Sequence, residues 1–251
     1  MNNAKTKVPA IDKMILLLDY LSTRNVATFT EIHNALSLPK SSLSLMLSSL
    51  VTHRLVKFEK NKYHLGLKMY EYGSAAIQNF NVKSVVHTLL SDLVNQLNLT
   101  CHLGVLDGDS PIYLDKIESN QLISIKSVVG KKLSLHSSGL GKALISQLSD
   151  EELDRLLPEE NLEIFTPMTI PTKTALKKEL QEIRKTGYAF DREEGDLGIF
   201  CIAMPIFDGH HDIIAGVSVT GVTFQMPETR HEEIIHQLRE ACQKISRKLY
   251  E

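Results

Sequence analysis

The sequence predicts an α+β fold built in two parts. Length is the first observation: 251 residues exceed what one average domain needs. Second, residues 9–66 read as helix, helix, turn, helix and hairpin, whereas the remainder mixes amphipathic helices with strand-like runs on mostly antiparallel connections. Third, charge divides along the chain. Residues 1–68 hold 10 Lys and Arg against 4 Asp and Glu, and the remainder holds 18 against 26. A basic front end on an acidic body points to a polyanionic partner for the front end.

The first helix is PAIDKMILLLDYLST (9–23), in which Ile11, Met14, Ile15, Leu18 and Leu21 share one stripe at helical spacing. In ATFTEIHNALS, Thr28 and Glu31 have capping-box spacing, and Ile32, Ala35 and Leu36 are expected on the buried face. Leu38-Pro39 then breaks the chain. A third helix opens near Pro39 or Lys40, with Leu43, Met46, Leu47 and Leu50 inward. LVKFE and KYHLG are short β-type runs around a hairpin tip at Lys60-Asn61. Residues 67–80, LKMYEYGSAAIQNF, are expected to form a connecting helix.

The second part opens on VKSVVHTLLSDLVNQLN, whose Val82, Val85, Val86, Leu89, Leu90, Leu93, Val94 and Leu97 predict an amphipathic helix packed on a sheet. Asp107-Gly108 sits between two strand-like runs and signals a hairpin. LISIKSVV (122–129) is expected to be a further strand. SGLGKALISQLS, SDEELDRLL and TKTALKKELQEIRKTG predict helices, the last two well capped. FCIAMPIF and DIIAGVSVTGV predict strands joined across DGHHD. A closing helix, about 228–250, is expected to face Ile234, Ile235, Leu238, Cys242, Ile245 and Leu249 inward.

The third helix carries an unusual outer face. It presents Lys40, Ser41, Ser42, Ser44, Ser48 and Ser49, with no acid between Lys40 and Leu50. Serine is a mediocre helix former, and a merely solvated face would carry Glu, Lys or Arg. Short donors without acids, with a basic residue at the amino end, suit a helix lying between two phosphate strands of a major groove. Lys57, Lys60 and Lys62 on the hairpin are placed to reach a neighbouring phosphate or the minor groove. Thr28 and Asn61 complete the expected DNA-contacting set. The plain alternative is a small helical bundle with a solvated serine face. Its weakness is that the helix–turn–helix spacing, the basic hairpin and the local positive charge occur together.

Other function classes find less support. No apolar run approaches a membrane span, and MNNAKTKVPAIDK lacks the apolar core of a secretory signal. Cys101, Cys201 and Cys242 are far apart and odd in number, so a reducing cytoplasm is expected and no disulfide framework or zinc knuckle is indicated. A thiol enzyme would need Cys201 beside His210 or His211, which fall in a turn-like run. Cys101, His102, His136 and Cys201 have no diagnostic metal spacing. GLGK is not a phosphate loop, since His136 stands at the first glycine and Ala143 at the hydroxyl position. A protein-binding adaptor remains a third class, disfavoured by the serine face and basic hairpin. No cofactor or metal is expected.

FTEIHNALSLPKSSLSLMLSSLVTHRLVKFEKNKYHLG resembles the winged helix-turn-helix of the IclR family of bacterial transcription regulators. LHSSGLGKALISQLSDEEL, IRKTGYAFDREEGDLGIFCIAMPIFD and AGVSVTG are similar to later blocks of that family, in the same order. The resemblance implies a DNA-binding domain (1–66), a linker helix (67–80) and an effector-binding domain with a GAF-like or PAS-like sheet (81–251). It also implies homodimers or tetramers on double-stranded operator DNA, with repression the usual role. One departure is Leu45, where family members often carry arginine. Bidentate reading of guanine by Arg is absent there, which leaves Lys40, the serines and DNA shape.

The resemblance places a small-molecule site at Gly139, Leu140, Asp191, Cys201, Ser218 and Thr220. Gly139 and Leu140 are expected at a helix start, where free amides favour a carboxylate. Ser218 and Thr220 lie two apart in a strand and so share one face. Asp191 suits hydrogen bonds from ligand hydroxyls. The expected effector is a small organic or sugar acid. Glu193 and Glu194 read as solvated charges.

Overall fold

The computed structural model describes residues 6–78, 82–121 and 125–250, without the side chains of 77–78, 82–85 and 249–250. The chain divides into two compact units, Met1–Phe80 and Asn81–Glu251.

In the first unit α1 (Pro9–Arg24), α2 (Phe29–Leu36) and α3 (Lys40–Thr52) precede a hairpin of β1 (Val56–Glu59) and β2 (Lys62–Leu65), then α4 (Leu67–Gln78). Thr28 caps α2 through a complete capping box with Glu31. Lys60 and Asn61 both adopt positive φ, 50° and 62°, the two-residue turn that matches strand twist. Ala27 and Tyr63 exchange backbone hydrogen bonds of 2.9 and 2.7 Å, tying the loop before α2 to the hairpin. Leu17, Leu21, Ile32, Leu43, Leu47, Leu50 and Val56 fill the core.

Two expectations are corrected here. Ile11 and Ile15 are 49% and 47% exposed; Leu17 and Leu21 carry the buried stripe of α1. The three-helix core reaches only the later turns of α1, so no described residue of this unit covers its early isoleucines. Ala35 is exposed, because Ile32 with half-buried Phe29 and Leu36 already fills the space beneath α2. Residues 79 and 80 of the expected connecting helix lie outside the described residues.

The second unit is a five-stranded antiparallel sheet in the order β4-β3-β7-β6-β5. Its strands are β3 (Thr100–Asp107), β4 (Ser110–Ile117), β5 (Ala189–Arg192), β6 (Ile199–Phe207) and β7 (Ile213–Val222). Gly108, at φ +60°, makes the β3–β4 turn, and Asp208 Oδ1 accepts from the His210 and Asp212 amides to close the β6–β7 turn. Alternation along the strands gives each face its own core. On one face Cys101, Leu103, Ile202, Met204, Val217 and Val219 pack with α5 (Val82–Leu97) and α9 (His231–Tyr250). On the other, Ala189 and Ala203 pack with α6 (Gly139–Leu144), α7 (Asp150–Leu156) and α8 (Lys173–Thr186).

The expected strand at 122–129 is also corrected. Residues 122–124 lie outside the description, and 125–129 form no strand. The Lys116 ammonium donates to the Ile125 and Ser127 carbonyls, at 2.8 and 3.2 Å, and the Ser127 amide turns back onto Ile125 O at 2.8 Å. The edge of β4 is instead followed by residues 130–133: the Gly130 amide donates to Tyr113 O, and the Leu133 amide to Pro111 O, both at 2.8 Å. The inward positions expected of Val82, Val85 and Leu249 fall outside the described side chains.

Candidate nucleic-acid interface and effector site

Leu43, Leu47 and Leu50 bury one side of α3, which turns Lys40, Ser41, Ser44, Ser48 and Ser49 outward; Ser42 is half-buried. Among the described residues no hydrogen bond within the unit engages the outward serine hydroxyls. Leu45 stands among them, 74% exposed. Lys60, Asn61 and Lys62 are exposed at the hairpin tip. Lys57 is exposed too, but pairs with Glu59 at 2.8 Å, and this bond holds the Glu59 carboxyl below its usual range. Thr28 departs from its expected role. Its amide and hydroxyl both donate to Glu31 Oε2 at 2.7 Å, and its hydroxyl accepts from the Glu31 amide. That residue holds the start of α2 and has no donor left for a phosphate.

In the second unit, Gly139, Asp191, Cys201, Ser218 and Thr220 gather on the sheet face beneath α6. A Cβ placed on Gly139 would lie 3.4 Å from the Asp191 amide and 3.5 Å from Cys201 Cβ. These are ordinary van der Waals distances, and they place the start of α6 directly over β5 and β6. Thr220 Oγ1 donates to Cys201 Sγ at 3.2 Å, and Ser218 pairs in register with His102 of β3. Leu140 is set differently. Its Cδ atoms fill the hollow left by Gly104 and Gly216, so its side chain is committed to packing. The helix is also shorter than expected, six residues, and Ser138 Oγ already caps the Gly141 amide at 3.0 Å. The anion-binding amides foreseen there are therefore fewer.

Asp191 is buried, and its Oδ1 accepts from the Glu194 amide at 2.8 Å. Burial pushes its carboxyl up to about 6, against the pull of that amide. Burial and the adjoining Asp191 charge drive the Cys201 thiol well above its ordinary range. Burial likewise raises Cys242 to about 12 and Cys101 still further. Thiols this reluctant to ionise are poor nucleophiles. Cys101 faces the opposite side of the sheet from Cys201, and His210 and His211 are exposed in the β6–β7 turn. Among the described residues no three His, Cys, Asp or Glu side chains stand together as metal ligands.

Several site residues escaped sequence reasoning. His102 is fully buried; its Nε2 lies 2.7 Å from Ser127 Oγ, its Nδ1 3.5 Å from Thr220 Oγ1, and its ring stacks on Tyr113 at 4.4 Å. Burial lowers it to about 3, so the imidazole is neutral at cellular pH. Lys142 is fully buried, and both carboxylate oxygens of Glu194 accept from it at 2.7 Å. Glu194 is thus no solvated charge. Glu193 Oε2 accepts from the Gly198 amide at 2.7 Å and folds the following loop. A lysine inside the apolar run GLGKALI was the one available signal. A surface groove of about 520 Å³, lined by Gln96, Asn98, Phe224 and Arg230 among others, lies away from all these residues.

Family models match both parts of the chain. The IclR helix-turn-helix domain matches residues 10–60, and the bacterial transcriptional regulator IclR C-terminal domain matches residues 74–247. The acetate operon repressor of Salmonella typhimurium is 30% identical over 245 residues, covering 96% of this chain and 89% of that protein. The crystal structure of Thermotoga maritima IclR superposes with a TM-score of 0.76 at 34% identity, covering 95% and 98% of the two chains. An IclR homologue from Microbacterium hydrocarbonoxydans, complexed with 4-hydroxybenzoate, shares the fold at 20% identity, with a TM-score of 0.84 over 96% and 99%. Among the described residues no helix is long and apolar enough to cross a membrane. The chain belongs to the IclR family of bacterial transcriptional regulators.

Proposed function

We propose that this regulator represses transcription from operator DNA and that a small hydroxylated organic or sugar acid controls it. The outward face of α3 carries the reading: a row of hydroxyls without a partner among the described residues, with Lys40 at its amino end and no acid. Such a row positions a helix between phosphate strands, and the hairpin lysines Lys60 and Lys62 add phosphate contacts. Repression follows the sign of the relative named for the acetate operon. No catalytic role is assigned, since the buried thiols are protonated at working pH.

The effector class is argued from the donors and acceptors under α6. Ser218 and Thr220 supply hydroxyls, His102 a neutral ring nitrogen, and Asp191 an acceptor or, when protonated, a donor. That set suits a ligand bearing both hydroxyl and carboxyl groups. The fold neighbour's 4-hydroxybenzoate is of this kind. Binding there is read out through α4, which joins the two units along the chain. By linkage, effector and operator change each other's affinity by one factor. The functional unit is a homodimer or a tetramer, supported by the exposed apolar residues Ile11, Ile15, Leu67 and Tyr70 on α1 and α4.

Isothermal titration of gluconate, lactate and 4-hydroxybenzoate tests the site. We expect saturable heat from at least one acid, lost in Ser218→Ala. Equal heats from wild type and Asp191→Ala would remove Asp191 from the site. Capture of genomic fragments by the whole protein, weakening steeply with salt, tests the DNA reading.

A further inference from the structure

We propose that Leu45 reads thymine, contacting the C5-methyl group in the major groove and so fixing an A·T pair near the centre of each half-site. The proposal rests on the DNA-contacting reading of α3 and adds to it the base that the helix selects.

Leu43, Leu47 and Leu50 define the buried side of α3. Leu45 is on the opposite side, one turn beyond Ser41 and one turn before Ser48. It is 74% exposed at the middle of a thirteen-residue helix. Its neighbours on that face, Ser41, Ser44, Ser48 and Ser49, end one atom past Cβ. Leu45 is therefore the side chain that projects furthest from this stretch. A partner meeting the flanking hydroxyls meets the Leu45 methyls at greater depth. Lys40 at the amino end, and the lack of any acid on α3, select a polyanion as that partner.

The floor of the major groove offers one apolar feature, the thymine methyl. Guanine N7 and O6, or the amino groups of adenine and cytosine, would lose water against Leu45 without gaining a hydrogen bond. One position is thus both attracted to thymine and closed to a G·C pair. Serines alone, which bond to any base or phosphate, cannot make that distinction.

The test uses the full chain and a selection from a random duplex library. Each thymine of the recovered consensus is then replaced singly by deoxyuridine, which deletes only the methyl, and binding is followed by fluorescence anisotropy at fixed salt. We expect one position per half-site to lose roughly fourfold in affinity, the worth of one buried methyl. Leu45→Ala, which leaves the core untouched, should bind thymine and deoxyuridine duplexes equally. Reselection with Leu45→Arg should replace that A·T pair by G·C. If wild type binds the consensus yet tolerates every deoxyuridine, or if Leu45→Ala keeps the full sensitivity, the proposal falls while DNA binding stands. If no duplex outcompetes scrambled DNA, the DNA reading falls and the proposal with it.

Discussion

Asp191 holds its proton more tightly in the folded protein than in the open chain, since burial lifts its carboxyl to about 6 from the ordinary value near 4. The folded form is therefore favoured by this group below about pH 4, and that advantage is lost as pH rises through 6. Asparagine is neutral throughout and keeps an acceptor for the Glu194 amide. We expect Asp191→Asn to be more stable than wild type at pH 8, by up to about 3 kcal/mol. The gain should shrink to nothing near pH 4, read from urea midpoints across that range. An equal gap at both ends would mean that a lost contact, not ionisation, sets the difference. Legibility at this scale was uneven. Ser218 and Thr220 were readable as a same-face pair because strand alternation is a local rule. The Lys142–Glu194 pair was not, because its partners are 52 positions apart and only the fold brings them together. Glu194 sits in a run of charges that, taken locally, looks solvated.

Elements in the first unit are joined by close backbone approaches as well as by apolar packing. Gly66, just after β2, donates its amide to Leu55 O at 2.8 Å, and a Cβ there would overlap the Arg54 carbonyl oxygen. The turn between α3 and β1 and the end of the hairpin thus touch backbone to backbone. Gly66→Ala must push them apart. We expect a loss of more than about 2 kcal/mol in the first unit and of operator binding, with effector heats unchanged. Thermal melts showing a new early transition, beside a normal titration, would establish this; an unchanged melt would refute it. Helical periodicity located α1, α2 and α3, but it misphased α1, because a stripe of apolar residues does not say which of them the rest of the unit can reach. The strand expected at 122–129 fails over its described part, 125–129, for a related reason. β-propensity is real there, yet the carbonyls of Ile125 and Ser127 are taken by the Lys116 side chain.

For the whole molecule, the misphased isoleucines become informative. Ile11 and Ile15 are four apart on one face of α1, and Leu67 and Tyr70 are 87% and 76% exposed on α4. Water at such residues is unfavourable, and a second copy would remove it by an isologous contact. The charge split along the chain could be read from sequence, and it pointed to the nucleic-acid end; the exposure of Ile11 and Ile15 could not, since it shows only in what the folded unit leaves uncovered. Changing both Ile11 and Ile15 to Glu touches no core residue, so stability of the isolated unit should hold to within about 0.5 kcal/mol. Sedimentation should show the pair of changes shifting the protein toward monomer at micromolar concentration. Operator affinity should then fall by roughly 100-fold or more, because two linked half-site contacts become one, and the dependence of log affinity on log salt should flatten toward half its wild-type slope as half of the phosphate contacts are lost. A variant that stays dimeric, or a monomer that binds with the full slope, would show that α1 is not where the two chains meet.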